Sequence, residues 1–318
     1  MKFKKIYDYI IQEGISCDPR GKVAVSDDLK KTREHFESLC AKDKQYFDKQ
    51  CLSNPYDDTR MLAGNPEADI RNILVGIDID SSEILLADRL NSKNKTHIDL
   101  LLSHHPQGLA YANFYEVIDM QAEIFSLLGV PINVSEKLVE TRKREVCRRI
   151  HSANHNRSSD AAKLIGMPFM CAHTPADNHA VEYLNRVFAQ RKPTTLKNIV
   201  DMLMDIEEYK IAKAEGAGPV ILLGSNSSRC GKIFVDMTGG TEGPKDIIEN
   251  LLSCGVGTIV GMHLSEEHYK KYQEKNINVV IAGHIASDNL GMNLLLDKIA
   301  KISKINILSC SGFRRIKH

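Results

Sequence analysis

Four histidines and two aspartates stand just past the ends of apolar runs. His104 and His105 follow IDLLLS, His173 and Asp177 follow MPFMCA, and His284 and Asp288 follow NVVIAG. Imidazole and carboxylate together suit zinc, iron or manganese better than calcium. An apolar run of five or six residues that stops at a polar cluster reads as a buried strand ending at a surface. In open α/β sheets the carboxyl ends of strands are where ligands bind. Three such ends, each carrying ligand-type groups, predict one convergent metal site.

Each piece also has a plainer structural reading. Pro106 after the paired histidines imposes extended or turned backbone, and on a persisting strand the two imidazoles face opposite ways. That suits two metal ions better than one; the alternative is a pair of partly buried, hydrogen-bonded histidines. Thr174 is a good N-cap, Pro175 suits the first helical position, and Asp177 falls where it would complete a capping box. His284 and Asp288, four apart, share a helix face, and Gly283 permits a sharp strand-to-helix exit. Asp288 would equally favour the helix dipole. Recurrence at three strand ends is what favours the metal. His263 also ends an apolar run, yet reads as structural or peripheral, while His151, His155 and His179 read as exposed. The glycine-rich stretch 237–245 fails as a phosphate loop, because Pro244 precedes Lys245 and Asp246 stands where Ser or Thr is required; it reads as a tight turn.

The elements that must position these groups are legible as patterns. Residues 1–65 read as helical and charged, ending in a turn at 54–58. ILVGIDID (73–80) reads as a strand, Asp80 and Glu83 as a capping box opening a helix, and IDLLLSHH as the next strand. That is a βαβ unit. Two helical patterns, 114–128 and 135–151, fill the stretch 106–172. Its basic cluster of Arg142, Lys143, Arg144, Arg148 and Arg149 reads as a solvated face, the alternative being a guard at the site entrance. Further on, PVILLG and KIFVDM read as strands joined by a polar turn, GTIVGMH and INVVIAGH as strands, and the segments after them as helices, with DNLGMNLLLDKIAKI closing the chain. The expected fold is α/β in two halves, 1–200 with a helical stretch at about 106–172, and 201–318.

Composition narrows the function classes. At 318 residues and 42% hydrophobic, the chain can bury sizeable cores. A net charge of +1 gives no global pull toward nucleic acid or an anionic membrane. No apolar stretch approaches the roughly 20 residues that span a bilayer, and the N-terminus reads as an amphipathic helix, not a signal peptide. Eight cysteines, scattered singly without a Cys-x-x-Cys pair, argue against a zinc ribbon or disulfide framework. They point to reduced, mostly buried thiols in a cytoplasmic protein.

With these segments in order, the chain resembles the NIF3-like family, also known as GTP cyclohydrolase I type 2 homologues. Residues 57–64 (DDTRMLAG) look like a degraded form of that family's Trp-Asp-Asn-x-Gly-Leu-x-x-Gly motif, and NILVGIDID resembles its first core strand. LLLSHHPQG matches the His-His-Pro segment, CAHTPADN the His-Thr-Asn-Leu-Asp segment, and VVIAGHIASDNLGM the Gly-His-Tyr-x-Thr-Glu motif. The resemblance implies two α/β halves of mixed sheets flanked by helices, two divalent metal ions between them, and a ring-shaped homohexamer. The implied ligands are His104, His105, Asp177, His284 and Asp288, with His173 in a supporting role. This chain departs from the family in three ways. Asp288 replaces a glutamate, so it either reaches one ion only or needs its backbone closer. Pro175-Ala176 replaces Asn-Leu, and the 106–172 segment is longer than usual.

The functional expectation is a metal-dependent hydrolase acting on a nucleotide-like or phosphorylated small molecule, its substrate otherwise unspecified. The metals would be zinc, iron or manganese. The rival class is non-catalytic, a metal-binding adaptor, carrier or regulatory protein; a third option is a structural metal stabilising the join of the halves.

Overall fold

Nine short strands among the described residues carry the apolar runs. In the computed structural model, which describes residues 1–93 and 97–318, they are β1 (Met61–Ala63), β2 (Asn72–Gly76), β3 (Leu100–Ser103), β4 (Phe169–Cys171), β5 (Val220–Leu223), β6 (Lys232–Asp236), β7 (Val256–Gly261), β8 (Asn278–Ile281) and β9 (Asn306–Cys310). They form two mixed sheets, ordered β1-β4-β3-β2-β9 and β5-β8-β7-β6. The inner strands run parallel, while the edge strands β1 and β5 run antiparallel to β4 and β8. Helices cover both faces of such parallel strands, so their residues are buried on both sides: all of Leu100–Ser103 is buried. The α/β architecture of two mixed sheets flanked by helices is the one expected.

The two sheets repeat one another. β1 to β4 and β5 to β8 share one strand order and one set of directions, although the sequence shows no repeat. β4 runs directly into the helix Thr174–Arg191 and β8 into the helix His284–Ile302. His173 and Asp177 on one side and His284 and Asp288 on the other therefore stand at like strand-to-helix junctions. These two helices pack against each other, and the N-terminal helix Phe3–Ser16 packs on both. Its residues Phe3, Ile6, Tyr7 and Ile10 belong to the main core.

Several details differ from expectation. Strand β9 lies beyond the last helix read from the sequence, in a stretch to which no element was assigned; it pairs in parallel with β2, Asn72 against Asn306 through Gly76 against Cys310. Residues 201–318 thus contribute to both sheets. All eight cysteines are free, as expected, but only Cys171 and Cys230 are fully buried. The capping box of Asp80 and Glu83 forms in both directions. The basic cluster is laced by ion pairs of Lys143 with Glu116 and Asp119, Arg144 with Glu140, and Arg149 with Glu145. No helix of the described residues is long and apolar enough to cross a membrane.

Candidate metal centre

The fold gathers all six singled-out groups. His104 and His105 leave β3, His173 leaves β4, and His284 leaves β8 after Gly283, whose φ of 114° turns the chain into its helix. His104 Nε2 lies 3.5 Å from Asp177 Oδ1 and 3.5 Å from Asp288 Oδ1. The other oxygen of Asp288 lies 3.4 Å from His105 Nε2 and 3.6 Å from His284 Nε2. Asp177 Oδ2 faces His173 Nε2 at 3.8 Å. Three overlapping groups result, each able to hold a cation: His104 with Asp177 and Asp288, His105 with His284 and Asp288, and His104 with His105 and His173.

Two observations test the fit of a metal. The first is tautomer control. His104 Nδ1 donates to the Ala172 carbonyl at 3.1 Å, His105 Nδ1 to Asp78 at 2.8 Å, and His173 Nδ1 to the buried Asp58 at 2.8 Å. Each bond fixes a ring and turns Nε2 inward, the usual arrangement around metal-ligating histidines. The second is what lies inside. His104 Nε2 and both oxygens of Asp288 are buried with no hydrogen-bond partner among the described residues, a costly state for polar atoms unless something else satisfies them. Separations of 3.4–3.6 Å are long for hydrogen bonds. They match the edges of a tetrahedron whose metal–ligand bonds are about 2.0–2.2 Å, which places its corners about 3.3–3.6 Å apart. The residues fit the group.

The electrostatics agree. Burial pushes the Asp177 carboxyl well above the usual carboxylate range. Burial also works against charge on Asp288, but the pull of His104, with His105 and His284, holds that carboxyl far below it. For His105 burial is outweighed by Asp288 and Asp78, which raise the imidazole to about 10, whereas burial lowers His284 to about 4. Protons on imidazole thus do part of the charge balancing that a cation would do.

The structural readings of the two aspartates do not survive. Thr174 donates its hydroxyl to Asp58 at 2.6 Å, and no side chain caps that helix. Asp177 therefore completes no capping box and turns into the cluster. Asp288 lies beyond the first turn of its helix and faces the histidines. It reaches both histidine sets despite its short side chain.

Sequence reasoning missed several residues. Asp58 and Asp78 look like any polar residue of a turn or strand end, and only their distant histidines give them a role. His263, read as peripheral, sits two residues past β7 as His105 sits two past β3, an equivalence that only the strand topology reveals. Its ring centroid is 4.9 Å from that of His284, and its Nδ1 is 3.7 Å from Glu242. Burial opposes the Glu242 charge, but His263 and His268 hold this carboxyl down to about 2. Asp236, at the end of β6, is pushed up to about 7 by burial and by Glu242. A cavity of about 60 Å³ is lined by Asp236, Glu242 and His263 together with His173, Asp177 and His284. His179, expected to be exposed, is buried beside Cys17, with 3.3 Å between Sγ and Nδ1.

Above the centre opens a cleft of about 500 Å³ whose walls include His105, His284, Tyr111, Phe114, Asn154 and Arg157. The insertion supplies four of those six, so it borders the site. One expected result follows from the tautomer bonds. Asp78→Ala removes the acceptor that orients His105 while touching only a half-exposed surface residue, and should weaken zinc binding about 10-fold. Competitive titration against a chromophoric chelator reads this; equal affinity would mean that the orientation of His105 does not matter.

No family model matches the chain, and no curated protein does. Solved structures do. A NIF3 superfamily protein from Sphaerobacter thermophilus is 25% identical, with 80% of this chain and 91% of that one covered and a TM-score of 0.69. Looser likenesses include reduced HcgD from Methanocaldococcus jannaschii, at 14% identity, 89% and 97% coverage and a TM-score of 0.48. A Bacillus cereus protein related to NIF3 follows at 11% identity, 80% and 91% coverage and a TM-score of 0.41. The first of these shares one residue in four across four-fifths of this chain, in the same fold, and on that ground the chain is NIF3-like in fold and similar in sequence to that superfamily member.

Proposed function

We propose that the protein is a dinuclear metal-dependent hydrolase acting on a nucleotide-like or phosphorylated small molecule. His104, His105, Asp177, His284 and Asp288 are the ligands in this reading, with Asp288 shared between two ions and His173 supporting. The observation that carries it is the convergence of inward-turned Nε2 atoms on Asp288 oxygens that lack a hydrogen-bond partner among the described residues. Zinc, iron or manganese held there would acidify water and polarise a phosphoryl or carbonyl oxygen. The chain itself supplies the rest. Asp78, Asp58 and the Ala172 carbonyl hold the imidazoles in one orientation. Tyr111 and Phe114 offer faces for a planar ring, and Arg157 offers charge for an anionic group. A cleft of about 500 Å³ is in the range that accepts small molecules.

The test is turnover. Metal-loaded protein should hydrolyse some member of a phosphoester and nucleotide panel, and His105→Ala should reduce that rate by about 100-fold or more, as loss of a principal catalytic contributor does. One observation favours a second reading: the His284 side chain is 40% exposed, which suits a carrier that exchanges its metal. A loaded protein inert on the whole panel, with metal exchanging within seconds, would replace the hydrolase by that carrier or adaptor. The homohexamer and the cytoplasmic location belong to the same proposal. Light scattering on the purified chain decides the first, and a monomer would remove it.

A further inference from the structure

Resting on the metal-site reading above, we propose that Gly291 is a positioning residue of the centre. Its missing side chain lets the His284–Ile302 helix close onto Ala176, and this contact sets the distance between Asp177 and Asp288. Glycine inside a helix costs stability relative to alanine, so its place there calls for a reason. Conformation is not the reason, because Gly291 is absent from the glycines with positive φ among the described residues. Space is. A Cβ built at Gly291 would stand 2.3 Å from the Ala176 carbonyl oxygen and 2.8 Å from its carbon. Those atoms are backbone, so no rotamer change relieves the clash; the helices must separate.

The consequence falls directly on the carboxylates. Ala176 precedes Asp177 in the chain, and Gly291 follows Asp288 by three positions, on the same helix face. Restoring ordinary contact requires a shift of about 1 Å. That is comparable to the reach of one added methylene, about 1.5 Å. A short aspartate therefore works at 288 because the helix crossing is tight, and a longer acid should work there only if the crossing is loosened. Gly14 and Asn178 tie the N-terminal helix to the same corner, Gly14 lying against Pro175 and its carbonyl accepting from Asn178 at 3.2 Å. That brace keeps the spacing from drifting.

Zinc titration of the full chain, stripped by chelation first, tests this without any assay of turnover. Gly291→Ala should weaken zinc binding by about 10- to 100-fold while its circular dichroism matches the parent. Gly291→Ala/Asp288→Glu should recover most of that loss. Asp288→Glu alone, against unmoved helices, should bind more weakly than the parent. Equal affinity in Gly291→Ala overturns the inference. So does a failure of Asp288→Glu to improve binding in the Gly291→Ala background. Should Gly291→Ala not fold, Asp288→Glu alone decides, and parental or tighter affinity overturns the proposal. A parent chain that takes up no zinc overturns the metal reading itself, and this inference with it.

Discussion

Replacing His104 and His284 together by alanine should empty the protein of metal. His104 belongs to two of the candidate groups, with Asp177 and Asp288 and with His105 and His173, and His284 belongs to the third, with His105 and Asp288. The double loss therefore leaves every group with two side chains. Structural and catalytic sites rest on three or four protein ligands, and affinity collapses below that. Elemental analysis should therefore give about two divalent ions per parent chain and close to none in the double variant, the binding energy being that of correctly deprotonated, preoriented ligands. His104 is fully buried, so its truncation also leaves a void; His284→Ala alone, at a half-exposed position, separates ligand loss from packing loss by removing about half the metal. Unchanged metal content in the double variant would remove the shared site altogether.

Why the site was readable before the fold was known follows from where its residues stand. Each candidate ligand follows a strand end by a few positions, and the strands announce themselves as short apolar runs that stop at polar groups. Reading three strand ends was enough to single out His104, His105, His173, Asp177, His284 and Asp288 without knowing the strand order, while the division into five ligands and a supporting His173 came from the family resemblance. The support around them is a different matter. Asp78 reaches His105 across 27 positions and Asp58 reaches His173 across 115, and no local pattern encodes such a pairing. The same limit hid β9, whose partner β2 is fixed far upstream. It also explains the misreading of Thr174: by local rules it caps a helix, but a distant buried carboxylate takes its hydroxyl. His263 was missed for another reason. Its significance comes from equivalence with His105 in the strand repeat, and that equivalence lives in topology, with no matching run of residues to reveal it.

Removing the metal should lower the melting temperature of the parent by about 10 °C, and Asp288→Asn should abolish that difference. A ligand at 1,000 times its Kd stabilises the native state by about 4 kcal/mol, and in large domains each kcal/mol moves Tm by about 2–4 °C. Scanning calorimetry with excess zinc and then with excess chelator reads the interval directly. Asp288 is the residue to change because, among the described residues, it is common to two of the three candidate groups and both its oxygens are buried without hydrogen-bond partners. Asparagine keeps the size but puts an amide NH2 where one oxygen faced the imidazoles. That amide can donate to an Nε2 lone pair, so the variant answers the need for a partner with its own atoms and loses the anion a cation requires. Its two melting curves should coincide. A variant that still loses about 10 °C on chelation would place the stabilising ion at another position, and Asp288 would then be a buried carboxylate held by its histidines and nothing more.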